Sequence, residues 1–400
     1  MKIGIITLPL NYNIGGILQA WALQTTLTKM GNDVKVIDRK STVKSWIDGE
    51  KSSIVKKKKG VRKDRDGYTE NTESTVKKSF LRKILHPIAS VVRKLTWLMY
   101  DTINIIKIKY TNKFTYKEIH YSGSRCFETV RPNDFDAIVV GSDQIWRADF
   151  VCSTLYSTYL DFAKDWNNIK RFAYAISFGL DKWNYTQKET EVCAALAEKF
   201  DEITVREDSA VDLCRKHLNV KATHVLDPTM LITRNEYSRL IDEDKTTYAG
   251  SEIFGYVLDE TPEIKRLIEH VGANSKYTKT HILAGTFSWR NVLKRNINQF
   301  PTVTQWLRCF RDSRCVITDS FHGTVFSIIF NKPFVVLHNA QRGNARMESL
   351  VRTFGLEDRL IDVNERDRAI ELLQKPFDIE DRLLKLREMS LGIIEKHFKE

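Results

Sequence analysis

Two kinds of apolar run alternate along most of this chain. Short β-branched runs predict buried strands, and longer runs with apolar residues three and four apart predict helices. Lys2 to Leu8 (KIGIITL) is the first predicted strand. Asn11, Asn13, Gly15 and Gly16 form a predicted turn, and Ile17 to Met30 has helical periodicity. Gly31 is its C-terminal stop, and Asp33 to Asp38 is the next strand. This βαβ opening predicts a parallel sheet. The glycine spacing is not G-x-G-x-x-G, so no dinucleotide site is assigned to it.

The alternation stops between Ser41 and about Tyr121. Lys51 to Lys63 holds seven Lys or Arg and no acid, and Asp64 to Ser79 is polar. Phe80 to Tyr110 places basic residues between apolar positions at helical spacing, with Pro87 to kink or split it. Two readings stand side by side: an inserted helical hairpin packed on the body, or a basic amphipathic element lying on an anionic membrane face.

Regular units resume at Asp136 to Val140, a strand followed by Gly141-Ser142-Asp143-Gln144. Arg171 to Phe178 is a strand, Thr186 to Lys199 a helix, and Glu202 to Val205 a short strand ahead of Arg206-Glu207. Ser209 to Leu218 is helical. A second series is predicted to start near Ala222, with strands at Thr223 to Leu226, Ile253 to Leu258 and Thr280 to Leu283. Its helices are Pro262 to Gly272 and Val303 to Asp312. The unit Cys315 to His338 follows: a strand to Thr318, cap chemistry at Asp319-Ser320, a helix over Thr324 to Phe330, and a strand over Phe334 to His338. Asn331-Lys332-Pro333 stops the helix. Glu380 to Glu400 reads as a charged amphipathic helix. The prediction is an α/β protein of two Rossmann-like domains facing a cleft. The first spans 1–205 with a basic insert at about 41–121, and the second spans 206–400. The switch should fall between about Asp201 and Pro228.

Composition adds a partner class. The formal net charge of +12 calls for something acidic: nucleic acid, an anionic membrane or a phosphorylated substrate. The excess positive charge sits mostly in the insert, without a recognisable nucleic-acid module, so nucleic acid is not expected. Six scattered cysteines with no C-x-x-C pair read as reduced thiols of a cytoplasmic protein, with no zinc site. The run Ile3 to Leu10 is too short for a signal peptide, and no run reaches the roughly 18 apolar residues of a membrane span.

Polar clusters recur where strands should end: Asn11/Asn13/Gly15/Gly16/Gln19, Gly141/Ser142/Asp143/Gln144, Arg206/Glu207 and Asp319/Ser320/His322. Each alone has an ordinary explanation. A strand-end Asp or Ser caps a helix, a first-turn histidine packs, and Arg206-Glu207 forms a surface pair. Together they point into one crevice, because ligands of open α/β sheets collect outside the carboxyl ends of strands. His322 then lies at a helix start, where anions bind.

These residues resemble the polysaccharide pyruvyl transferase family. The resemblance rests on IGIITLPLNYNIGGILQAWALQ, VVGSDQIWR, FAYAISFG, VRED, VLDPTML and VITDSFHGTVFSIIFNKPF, with Asn339 to Arg346 downstream. It covers most of residues 1–40 and 135–360. Where many relatives carry Arg-Leu-His, this chain has Ser320-Phe321-His322. The resemblance implies an architecture similar to GT-B glycosyltransferases. It also implies phosphoenolpyruvate as donor and a sugar of a capsule, exopolysaccharide or cell-wall glycan, or its lipid-linked precursor, as acceptor. The product would be a pyruvate ketal with phosphate released, and the chemistry requires no metal or other cofactor. On this reading His322 is the general acid/base, and Asp143 takes the hydroxyl proton or orients the acceptor. Arg206 clamps the donor, Asn13 with Gly15 and Gly16 borders it, and Ser142 and Ser320 line the site. Arg342 and Arg346 are further anion-clamp candidates, with a helix-surface role as the alternative. A nucleotide-sugar glycosyltransferase on the same scaffold is the alternative, and peripheral contact with an anionic membrane accompanies a lipid-linked acceptor.

Overall fold

Strand-length apolar runs without polar alternation must be covered on both faces, and that is how they pair. A computed structural model describes residues 1–37, 107–123, 127–245, 250–277, 279–284, 301–339 and 345–399. The first sheet contains β1 (Lys2–Ile6), β2 (Asp33–Val36), β3 (Ala137–Gly141), β4 (Lys170–Ile176), β5 (Glu202–Val205) and β6 (Thr223–His224). Their order is β2-β1-β3-β4-β5-β6. The second contains β7 (Ile253–Val257), β8 (Thr280–Ala284), β9 (Cys315–Thr318), β10 (Phe334–Leu337) and β11 (Leu360–Ile361), in the order β8-β7-β9-β10-β11. All these pairings are parallel.

Both sheets therefore share one winding rule. The first strand of each is flanked by the second on one side and the third on the other. The winding direction reverses there, and a crevice opens outside the carboxyl ends of β1 and β3, and of β7 and β9. The expected two-domain α/β architecture is present.

The helices that position the site start at designed caps. Helix α1 (Ile14–Lys29) is capped by the Asn13 side chain, so its first turn contains Gly15 and Gly16. The expectation of a turn at these glycines was three residues too long. Gly31 follows with φ +89°, the left-handed stop expected of it. Helix α2 (Gln187–Ala197) carries a Thr186/Glu189 capping box. Helix α3 (Asp208–Leu213) follows β5, and α4 (Arg234–Asp242) has a Thr233/Glu236 box. Then come α5 (Pro262–Asn274), α6 (Val303–Asp312), α7 (Phe321–Ile329), α8 (Ala345–Phe354), α9 (Arg366–Gln374) and α10 (Glu380–Phe398). Helix α7 begins three residues before the predicted start, because Ser320 is its N-cap and accepts from the Gly323 amide.

One predicted strand belongs elsewhere. Thr223–His224 pairs with β5 in the first sheet, not with the second series. The first sheet thus continues past residue 205 and ends where Asp227-Pro228 caps a short 3₁₀ turn. The basic insert lies outside the described residues up to 106, while residues 107–118 are helical. No described helix is long and apolar enough to cross a membrane.

The two sheets share a hydrophobic core. Trp21 of α1 meets Tyr237 of α4 with ring centroids 5.6 Å apart, and Tyr237 meets Phe326 of α7 at 5.2 Å. Helix α10 then crosses back onto the first domain. Asn32 Nδ2 donates to Phe398 O at 2.9 Å, Lys170 Nζ to His397 O at 2.7 Å, and the Leu226 amide to Ser390 Oγ at 3.1 Å.

Candidate active site

The two crevices face each other, and their residues meet. Asp143 follows β3, Arg206 follows β5, and both are buried. Arg206 Nη2 donates to Asp143 Oδ1 at 3.2 Å, and Nη1 donates to Asp227 Oδ2 at 2.9 Å. Asp227 Oδ1 is held by the Thr229 amide at 3.0 Å and the Thr229 hydroxyl at 2.7 Å. The Arg206 guanidinium lies 4.3 Å from the ring centre of Phe321, a cation–π contact that crosses from the first domain to the second.

His322, in the first turn of α7, is only 9% exposed. Its Nε2 is buried without a hydrogen-bond partner and lies 3.9 Å from Asp227 Oδ2, too far for a hydrogen bond. The other side of the ring faces the backbone of Gly15. A Cβ at position 15 would overlap Nδ1, Cγ and Cε1 of the imidazole. Glycine is required there for close approach between two helix N-termini, one from each domain.

Burial pushes the His322 imidazole below its ordinary pKa, against the pull of Asp227 and Asp143. Asp143 moves the other way for a buried acid. Burial alone would raise it, but the charges of Arg206, His322 and Arg346 hold it below the usual carboxylate range. Arg206 stays protonated because Asp143, Asp227 and Glu207 outweigh its desolvation.

Arg346 is the remaining cation. Burial and the nearby Arg206 lower it to about 10, and its Nε is buried without a partner. Among the described residues no carboxylate pairs with it. Glu207 is fully buried beside this group. Its Oε1 accepts from Ser177 Oγ at 2.8 Å and from the amides of Phe178 and Gly179 at 3.0 and 3.2 Å, while Oε2 has no partner.

Sequence-selected residues thus divide by position. His322, Asp143, Arg206, Arg346 and Gly15 come together. Asn13 caps α1 from an exposed position, and Gly16 lies in the same turn, donating its amide to Asn13 Oδ1 at 3.2 Å. The Ser142 hydroxyl donates to Ala175 O at 2.9 Å and holds the bulge of β4, while Ser320 caps α7. Arg342 lies outside the described residues. Asp227 lies in the VLDPTML stretch and is not among the residues selected from the sequence. A strand-end acid followed by Pro228 suggests a cap, and nothing local announces its arginine partner 21 residues earlier.

A buried acid–arginine–acid row beside a neutral imidazole and an unpaired guanidinium can bind an anion and move a proton next to it. The model of the polysaccharide pyruvyl transferase family matches residues 13–341. No curated protein matches the chain. Among solved structures, the chain is similar to the UDP-GlcNAc 2-epimerase from Methanocaldococcus jannaschii, at 14% identity and a TM-score of 0.49, covering 99% of this chain and 100% of that one. It is also similar to the UDP-GlcNAc 2-epimerase from Neisseria meningitidis, at 11% identity, TM-score 0.45 and 99% of each chain. A glycosyltransferase from Rickettsia africae matches at 10% identity and TM-score 0.42, covering 100% of this chain and 94% of that one.

Proposed function

The chain belongs to the polysaccharide pyruvyl transferase family, and on that premise we propose that it moves the pyruvyl group of phosphoenolpyruvate onto a glycan sugar, forming a ketal and releasing phosphate. The observation that carries the donor assignment is Arg346, a half-buried arginine whose Nε is buried without a partner and which has no carboxylate partner among the described residues, near the imidazole of His322. A buried donor left unpaired is costly, and a bound carboxylate or phosphate supplies its acceptor. Arg206 is already shared by two carboxylates, so Arg346 is the principal clamp and Arg206 the secondary one.

The anion also solves the proton problem. His322 rests neutral, and a bound anion raises its pKa and brings a proton with it. That proton goes to C3 of the enol, the C=C bond is consumed, and C2 becomes electrophilic. A sugar hydroxyl adds to C2 and returns its proton to His322. The C2–O bond to phosphate breaks with its electron pair. The second hydroxyl then closes the ring, and its proton leaves with the phosphate. Asp143, held ionised against Arg206, is a poor base and instead orients the acceptor and keeps Arg206 in place.

The test is thermal stabilisation followed by turnover. Phosphoenolpyruvate should raise the melting temperature, and phosphate release should depend on added glycan. Stabilisation by nucleoside diphosphates but not by phosphoenolpyruvate would favour a nucleotide-sugar glycosyltransferase and sink this reading.

The proposal includes a cytoplasmic site with peripheral contact to an anionic membrane that presents the acceptor. Lys109, Lys113 and Tyr116 form an exposed stripe on helix 107–118, with Tyr116 75% exposed. The same helix touches the site's border, since Thr111 Oγ1 donates to Asn11 O at 2.7 Å. Co-sedimentation of the full chain with phosphatidylglycerol vesicles should weaken in Lys109→Glu/Lys113→Glu, and undiminished binding removes this stripe from the account.

A further inference from the structure

Among the described residues, four large hydrophobic side chains are exposed: Tyr116, Phe150, Leu384 and Met389. Leu384 and Met389 lie on α10 and Tyr116 on helix 107–118. Phe150 alone lies at the carboxyl ends of the strands, in a single helical turn (Ala148–Val151) seven residues after Asp143. Its ring is 53% exposed, and one face is covered by the Arg147 guanidinium at 4.2 Å from the ring centre.

That arginine is fixed rather than mobile. Its Nη1 donates to Gln144 Oε1 at 2.8 Å, and its Nη2 donates to Asp149 Oδ2 at 3.1 Å. Asp149 also accepts from Asn184 Nδ2 at 2.7 Å, which joins the loop after β3 to the loop after β4. Gln144 directly follows Asp143, so its bond to Arg147 ties this face to the edge of the site. The result is a rigid aromatic face with carboxylate and amide oxygens at its rim, beside the anion site.

We propose that Phe150 is the floor of the acceptor subsite, on which a neutral pyranose ring stacks through its C–H face while its hydroxyls reach Asp149 and Asn184. The charges favour this division. Arg147 is neutralised locally by Asp149, so this rim does not select an anion, whereas Arg346 does. The aromatic face is pre-ordered, which lowers the entropic cost of binding. The assignment rests on the pyruvyl-transfer reading for the identity of the neighbouring donor, but the platform is tested without turnover.

The experiment is saturation-transfer NMR and calorimetry of the full chain with methyl glycosides of glucose, galactose, mannose and N-acetylglucosamine, and separately with phosphoenolpyruvate. At least one glycoside should bind the wild type. Phe150→Ala should weaken it about tenfold, the size of one ring-stacking contact, while Phe150→Trp retains it. Phosphoenolpyruvate affinity should stay within about twofold in both variants. Because Phe150 is exposed, the variants should keep the wild-type melting temperature, which checks folding. Glycoside binding unchanged in Phe150→Ala, or absent from the wild type across the panel, overturns the platform and leaves the donor reading standing. Failure of phosphoenolpyruvate to bind the wild type overturns the donor reading, and glycoside binding sensitive to Phe150 would still support the platform.

Discussion

Gly15→Ala is the sharpest perturbation of this site. Two effects of opposite sign act at one position. Gly15 is in the first turn of α1 and its backbone is not left-handed, so alanine is compatible with the local conformation. On helix propensity alone the change should stabilise by about 0.5–1 kcal/mol. Against this, the new methyl would overlap three ring atoms of His322. Forcing a methyl into a packed contact costs about 1–3 kcal/mol. The clash should win, for a net loss on the order of 1 kcal/mol. Relief requires the imidazole to turn or the two helix ends to part. Displacement of a catalytic group by about 1 Å is enough for a loss of about 100-fold in turnover.

The assay is thermal unfolding together with donor- and glycan-dependent phosphate release. Gly16→Ala is the control, because the nearest atoms to its Cβ would be those of the Asn13 side chain, with Nδ2 at 3.1 Å, and not the His322 ring. In the double variant Gly15→Ala/His322→Ala the clash is gone, so the stability lost in Gly15→Ala should return. A double-mutant cycle reads that coupling directly. If Gly15→Ala melts above the wild type and turns over normally, His322 does not sit against residue 15, and the inter-domain site described above is wrong.

Arg346→Gln should raise the donor KM about 10–100-fold, the worth of a charged hydrogen bond, while leaving the free protein as stable as before or more so; an unchanged phosphoenolpyruvate-induced thermal shift refutes the clamp. His322 is depressed in the folded protein, so below about pH 6.5 the unfolded chain takes up the proton first and this residue's contribution to stability falls as pH falls. His322→Gln should flatten that slope, and calorimetry in buffers of different ionisation enthalpy should show proton uptake on donor binding that the variant lacks. Ser142→Ala should cost about 1 kcal/mol of stability through its lost bond to Ala175 O, with donor KM unchanged; a raised KM returns Ser142 to the binding site.

The alternation of apolar runs made the two parallel sheets legible, because strands buried on both faces have little choice of composition. Helix starts were less legible. The glycines before Ile17 read as a turn, yet Asn13 caps the helix ahead of them and leaves them inside it. The strand Thr223–His224 was found but assigned to the wrong sheet, since pairing with β5 is set by register and not by local pattern. Arg206-Glu207 looked equally like a surface pair, and the structure buries both. Asp227 and Gly15 gain their meaning only from partners far along the chain, Arg206 for one and His322 for the other. Local spacing carries no trace of such contacts.

The return of α10 to the first domain has a consequence for how the protein is made. Phe172 of β4 meets Phe398 with ring centroids 5.2 Å apart, so the helix seals a face of the first sheet. Domains ordinarily fold as units during synthesis, earliest part first. Here that face stays open to water until residues 380–398 have left the ribosome, after every strand of the second sheet. The domain that begins folding first is completed last, and a nascent chain stalled before α10 would present Phe172 to chaperones.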